Sequence, residues 1–138
     1  SAALLVMVAS NEGYVDHTYK DVVGVPTIGF GETKNVKMGE KTDVVRSLRV
    51  LEDSMNDHAK GMVSCIKVPI SQGEFDAYLD FTYNVGVGNF CSSTLNQKLN
   101  AGQYDAACQE LLRWNRAGGR VIPALTKRRQ EEYQICSG

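Results

Sequence analysis

The chain has 138 residues, one domain's length, and its 43% hydrophobic and 22% charged residues match a folded globular protein, not a disordered or collagen-like one. Fifteen Lys and Arg against 16 Asp and Glu leave a net charge of −1, which removes any whole-chain electrostatic case for binding nucleic acid or an anionic membrane. The longest apolar run, Ala2 to Ala9, falls far short of the roughly 20 residues a membrane-spanning helix needs, so no span is expected.

Charge is nevertheless uneven. Arg113, Arg116, Arg120, Lys127, Arg128 and Arg129 form a stretch with no acid, leaving nine cations against 16 acids elsewhere. Such a stretch is either a solvated basic face or a patch that attracts an anionic polymer. The chain opens on Ser1, which reads as a processed or cut end. The apolar run there is a first helix or the remnant of an export or anchor segment. Four cysteines, Cys65, Cys91, Cys108 and Cys136, make no C-x-x-C pair. That argues against zinc or thioredoxin chemistry and leaves two disulfides or four buried thiols open.

In chain order, Ala2 to Asn11 predicts a short helix that stops at Glu12-Gly13. Tyr14 to Thr33 is rich in Tyr, Val, Thr, Ile and Phe and broken by Gly24, Pro26, Gly29 and Gly31, which predicts short strands joined by tight turns. Thr42 is the expected cap of a long helix bearing one apolar stripe, Val45, Leu48, Leu51, Met55, Ala59 and Met62. Ser71-Gln72-Gly73-Glu74 is a capping-box pattern opening a helix through Phe75, Tyr78, Leu79, Phe81, Tyr83 and Val85, apolar on most sides and so expected in the core. Val85-Gly86-Val87-Gly88 should end it. Short helices are expected over 95–100, 104–114 and 123–135, the last with Pro123 in its first turn. This is α+β: mostly helical, with a small antiparallel sheet near the N-terminus. A β-hairpin lobe over about 14–41 and a helical lobe over about 64–138 would be joined by a long helix over about 42–63 in one domain.

The polar groups between Asn11 and Glu32 point to chemistry. A hairpin around Val22 to Pro26 would set Asp21 and Thr27 on adjacent strands, open toward the helix end that bears Glu12. Two carboxylates facing each other suit glycosidic cleavage, one donating a proton to the leaving oxygen, the other stabilising charge or activating water. The same three residues also serve as a helix-end charge, a turn residue and a strand former, and spacing alone does not choose between these roles. His17 and His58 stand apart with no metal-ligand spacing, no cofactor is expected, and Trp114 reads as a core anchor.

Glu12-Gly13, Tyr19-Lys20-Asp21 and Gly24-Val25-Pro26-Thr27-Ile28-Gly29-Phe30-Gly31 resemble the signature of phage-type lysozymes, glycoside hydrolase family 24. The likeness continues through Phe75-Asp76-Ala77, Phe81, Tyr83-Asn84-Val85-Gly86, Ser93-Thr94-Leu95, Trp114, Gly118-Gly119 and Arg128-Arg129 with Glu132. It covers nearly the whole chain and is strongest toward the endolysins of lambdoid phages, several of which carry an export-type or signal-arrest N-terminus. The resemblance implies a lysozyme-like fold with an active-site cleft and hydrolysis of the β-1,4 bond between N-acetylmuramic acid and N-acetylglucosamine in peptidoglycan. It makes Glu12 the general acid, with Asp21 and Thr27 holding the attacking water, and so implies inversion. Thr33, Tyr83 and Thr94 fall where the family lines its sugar groove. Arg128 or Arg129 would neutralise Glu12, or form a solvated face. The implied setting is a monomer made in the infected cell's cytoplasm and acting on the wall in the periplasm. The family usually has histidine where this chain has Glu32, so an imidazole pairing is lost or replaced; Glu32 itself reads as a solvated hairpin-end charge. A lysozyme of this kind meets an oxidising periplasm, where the favoured pairs are Cys65 with Cys91 and Cys108 with Cys136. A catalytically silent peptidoglycan-binding module on the same scaffold is the competing function.

Overall fold

The computed structural model describes all residues, Ser1–Gly138. In order the elements are α1 (Ala2–Glu12), β1 (Val15–Lys20), β2 (Pro26–Gly29), α2 (Val44–Ser64), α3 (Gln72–Val85), α4 (Val87–Ser92), α5 (Thr94–Asn100), α6 (Tyr104–Glu110), a 3-10 turn (Leu111–Arg113), β3 (Arg116–Ala117), β4 (Arg120–Val121) and α7 (Pro123–Ser137). The α+β expectation holds. The chain forms two compact units, Ser1–Asn56 and Asp57–Gly138, the division falling within α2.

In the first unit, the Ser1 hydroxyl accepts from the Leu4 N–H at 3.2 Å and caps α1, which buries Leu4, Val8 and Ala9. Gly13 closes the helix by donating to the Ala9 carbonyl. β1 and β2 pair antiparallel, with Tyr19 opposite Thr27 and Lys20 opposite Pro26. The segment beyond the hairpin runs beside β1: Thr18 donates from its N–H to the Glu40 carbonyl and from its hydroxyl to that of Lys37. The cap of α2 is Asp43, not Thr42. Its Oδ1 accepts from the Arg46 N–H at 2.9 Å, as befits the residue immediately before the first helical one. The Thr42 hydroxyl instead meets Ser47 Oγ at 2.8 Å. Val45 is exposed, so the buried stripe of α2 starts at Leu48, half-buried, and continues through Leu51, Met55 and Met62.

In the second unit the Ser71–Glu74 capping box forms as its spacing predicts, both reciprocal bonds being present. Ala77, Tyr78 and Phe81 of α3 are fully buried. The break after α3 is shorter than expected, because Gly86 (φ +93°) alone interrupts the helix and Val87-Gly88 already begin α4. β3 and β4 were not expected either. Gly118-Gly119 between two short extended pairs is a hairpin turn, with both glycines at positive φ.

Both disulfides are present in the favoured pairing, Cys65–Cys91 and Cys108–Cys136, with Cα–Cα separations of 5.7 and 5.8 Å and no free thiol. The second ties α6 to α7.

Two cations of the basic stretch belong to the core and not to a solvated face. Arg128 grips Asp80 of α3 with Nε at 2.9 Å and Nη2 at 3.0 Å. Arg129 lies with Nε 2.9 Å from Glu132 Oε1, donates from Nη2 to Asn84 Oδ1 at 2.9 Å, and stacks 4.9 Å from the Phe81 ring centroid. Phe81 meets Trp114 edge-on at 5.3 Å, so the tryptophan does anchor the core from a half-buried position. Asp80, Arg129 and Glu132 are all completely buried. Burial first, then the hydrogen bond with Asp80, pushes the Glu132 carboxyl up to about 10, with Arg129 pulling the other way.

Two outcomes are expected. Replacing Cys108 and Cys136 together by Ser removes about 3.5 kcal/mol in urea unfolding, the chain-entropy value for a loop of that length. Glu132 keeps its proton in the folded protein and loses it in the unfolded one. Its stabilisation is therefore complete below the ordinary carboxyl range and declines with rising pH until the folded group ionises near 10. Glu132→Gln does not ionise, so its deficit against the parent should narrow between about pH 4 and about pH 9; a constant gap would contradict a proton held at Glu132.

Candidate active site

Asp21 follows β1 directly and folds the next four residues around its own carboxylate. Its Oδ1 accepts from the N–H groups of Val23 and Val25, both at 2.9 Å. Its backbone N–H donates to the Val25 carbonyl at 3.0 Å, and the Gly24 N–H donates to the Asp21 carbonyl at 2.9 Å. The side chain is half-buried and held in one orientation, with Oδ2 left for another partner.

Thr27 lies on β2, 4% exposed, and its hydroxyl donates to the Val25 carbonyl at 2.9 Å. With its single proton committed, Thr27 Oγ1 presents lone pairs to whatever approaches. One residue therefore couples the two side chains: the Val25 N–H binds Asp21, and the Val25 carbonyl receives both Asp21 N–H and Thr27 Oγ1. The hairpin sets aspartate and threonine in a fixed relation through the backbone of one residue, Val25.

Glu12 closes α1 and is half-buried. A Cβ built on Gly31 would stand 3.3 Å from Glu12 Oε1, so the carboxyl rests against the turn that follows β2. That turn is closed by reciprocal bonds, Ile28 N–H to the Glu32 carbonyl and Glu32 N–H to the Ile28 carbonyl, 2.9 Å each. Glu12, Asp21 and Thr27 thus all attach to one hairpin, in the first unit.

The remaining sequence candidates are placed less tellingly. Thr33, also in the first unit, is exposed two residues past Gly31. In the second unit, Tyr83 is half-buried on α3 with its ring 4.9 Å from that of His58, and Thr94 is exposed as the first residue of α5, just after its cap Ser93. Neither histidine is isolated, since His17 Nδ1 also meets Asp16 at 3.0 Å. No group of three His, Cys, Asp or Glu is placed to hold a metal ion.

Glu32 is not a solvated charge. Its side chain is 14% exposed and is gripped by both terminal nitrogens of Arg46, at 3.2 and 3.3 Å. The hydrogen bond that Arg46 donates to Glu32 in turn raises the proton affinity of the guanidinium. Sequence reading missed Arg46, and a pair 14 residues apart leaves no local pattern to find.

Gly31 yields a direct test of this placement. Its φ of +79° costs a side-chain-bearing residue about 1–2 kcal/mol, and a methyl group there also crowds Glu12. Gly24 (φ +84°) has the same strain but nothing within 4 Å. Both Gly31→Ala and Gly24→Ala should lower thermal stability, but only Gly31→Ala should move the Glu12 side-chain carboxyl 13C resonance. Equal carboxyl shifts in the two variants would contradict the contact.

The sequence profile of the Phage lysozyme family matches residues 9–132. The SAR-endolysin of Bacteriophage PS119 is 38% identical over 91% of this chain and 75% of its own length. The endolysin of Bacillus phage B103 is 37% identical over 98% of this chain, which spans about half, 52%, of that longer protein. Among solved structures, an endolysin from Escherichia coli O157:H7 phage FAHEc1 superposes with a TM-score of 0.89 at 31% identity, over 99% of this chain and 91% of that one. With a family match over nearly its full length and a relative 38% identical over 91% of it, this chain belongs to the phage lysozyme family.

Proposed function

We propose that the chain is a lysozyme-type glycosidase that hydrolyses the β-1,4 bond between N-acetylmuramic acid and N-acetylglucosamine in peptidoglycan, and so lyses the bacterial host. Glu12 is the general acid, protonating the glycosidic oxygen as the bond to the sugar carbon breaks. A water molecule donates one hydrogen bond to Asp21 Oδ2 and the other to Thr27 Oγ1, which aims its remaining lone pair at that carbon. As the water attacks from the face opposite the leaving group, Asp21 takes its proton and the configuration inverts. The observation that carries this reading is the backbone of Val25: its N–H fixes the Asp21 carboxylate, while its carbonyl takes the Thr27 hydroxyl hydrogen bond and so frees the Thr27 lone pairs.

The glycan strand is the partner, bound by a monomeric enzyme working as one domain, with Thr33, Tyr83 and Thr94 lining the path of the sugars. The product is made in the infected cell's cytoplasm and acts on the wall from the periplasmic side. Two disulfides suit an oxidising compartment.

Clearing of purified peptidoglycan tests the assignment, with proton NMR reporting the anomer formed first. The parent should clear the suspension and release the α-anomer. Glu12→Gln and Asp21→Ala should each lose about 10²–10⁴-fold in rate with unchanged far-UV circular dichroism. A variant keeping more than about a tenth of the parent rate would refute its residue's role. A parent that sediments with peptidoglycan without cleaving it would establish the silent binding module instead.

A further inference from the structure

The turn against which Glu12 rests is closed by its own reciprocal Ile28–Glu32 backbone bonds, yet its backbone is costly to order. Gly29 (φ +65°) and Gly31 (φ +79°) flank Phe30, and glycine loses more conformational freedom on ordering than any other residue. Further contacts to the turn come from the start of α2. Ser47 stands so close to Gly29 that a Cβ there would fall 2.6 Å from its Oγ. Ser47 Oγ meets Thr42 Oγ1 at 2.8 Å, and Thr42 Oγ1 accepts from Arg46 Nη1 at 3.2 Å. Arg46 then closes the clamp by holding the Glu32 carboxylate with both terminal nitrogens. Both ends of the turn are therefore met by the start of α2, which Asp43 caps: Gly29 by the close approach of Ser47, Glu32 by the two bonds from Arg46.

We propose that Glu32 and Arg46 are positioning residues for Glu12: their two-bonded ion pair fixes the Gly29–Gly31 turn against which the acid rests. The pair also neutralises the negative charge that Glu32 brings one residue beyond the Glu12 contact. It rests on the reading of Glu12 as general acid. A carboxylate at this turn is accommodated because the Arg46 guanidinium offers its two oxygens a planar fork of N–H donors.

The test uses Glu32→Gln, Arg46→Lys and the charge-exchanged double variant Glu32→Arg/Arg46→Glu, with two independent readouts. Hydrogen exchange at the amides of residues 28 and 32, whose reciprocal bonds close the turn, should speed up about tenfold or more in Glu32→Gln. On soluble peptidoglycan fragments kcat should fall about tenfold or more with KM within about twofold, as displacement of a reacting group alone produces. Arg46→Lys, which keeps the charge but not the fork, should fall between the parent and Glu32→Gln, and the exchanged pair should recover most of the lost kcat. Faster exchange with kcat within about twofold of the parent would overturn the proposal by leaving the pair merely structural. Unchanged exchange would overturn it by showing that the pair does not hold the turn. A failure of the proposed function shows up separately, as an inactive parent or an active Glu12→Gln, while the exchange arm still decides whether the pair clamps the turn.

Discussion

The candidate site depends on the two backbone polar groups of Val25. A carboxylate beside a turn is ordinarily free to rotate, and a strand threonine ordinarily satisfies itself wherever it can. Here one peptide group binds Asp21 Oδ1 and its neighbour across the same residue accepts a hydrogen bond from the Thr27 hydroxyl, so neither side chain has its usual freedom. Preorganisation of this kind favours the proposed catalytic role of the pair over that of two surface polar residues, because the ordering is completed on folding and not when substrate arrives. The exposed Val22 and Val23 at the tip follow from the same constraint. Their backbone is committed to wrapping the aspartate, and their side chains are left outward.

The helical unit is organised by a costlier device. Burying two arginines and two acids takes four ionisable groups out of water, and a well-packed apolar substitute would often be as stable. Such a cluster is demanding about geometry: Arg128 must reach Asp80 across α3 and α7, and Arg129 must simultaneously meet Glu132, Asn84 and the face of Phe81. A register error between α3 and α7 would strand a charge in the core, which is far more expensive than a misplaced leucine. The disulfide from Cys108 to Cys136 holds the other end of α7 to α6, so the terminal helix is fixed by ionic groups in its middle and by a covalent bond near its end.

Much of this was legible in the sequence, for local reasons. Glu12 at a helix stop, Asp21 before a Gly-containing turn and Thr27 on the returning strand are short-range features, and short-range rules placed them correctly. The Ser71 capping box and the break at Gly86 are of the same kind. The errors arose where a local pattern fitted two adjacent choices, as with Thr42 and Asp43 for the cap of α2, or where the signal was only two residues per strand, as in β3 and β4.

By itself, then, the sequence determined the order of the main elements, the helical character of the chain, and the spacing that sets an aspartate and a threonine on one hairpin and a glutamate at the helix end beside it. These follow from propensity, capping and turn chemistry, each acting within a few residues. Tertiary structure alone decided the fate of the charges. Nothing in the run Lys127-Arg128-Arg129 shows that one cation is solvated and two are buried, and nothing near Glu32 announces Arg46. An ion pair is set by which surfaces meet in space, with partners 14 and 48 residues apart, and until the chain folds those surfaces have no relation that local rules can read.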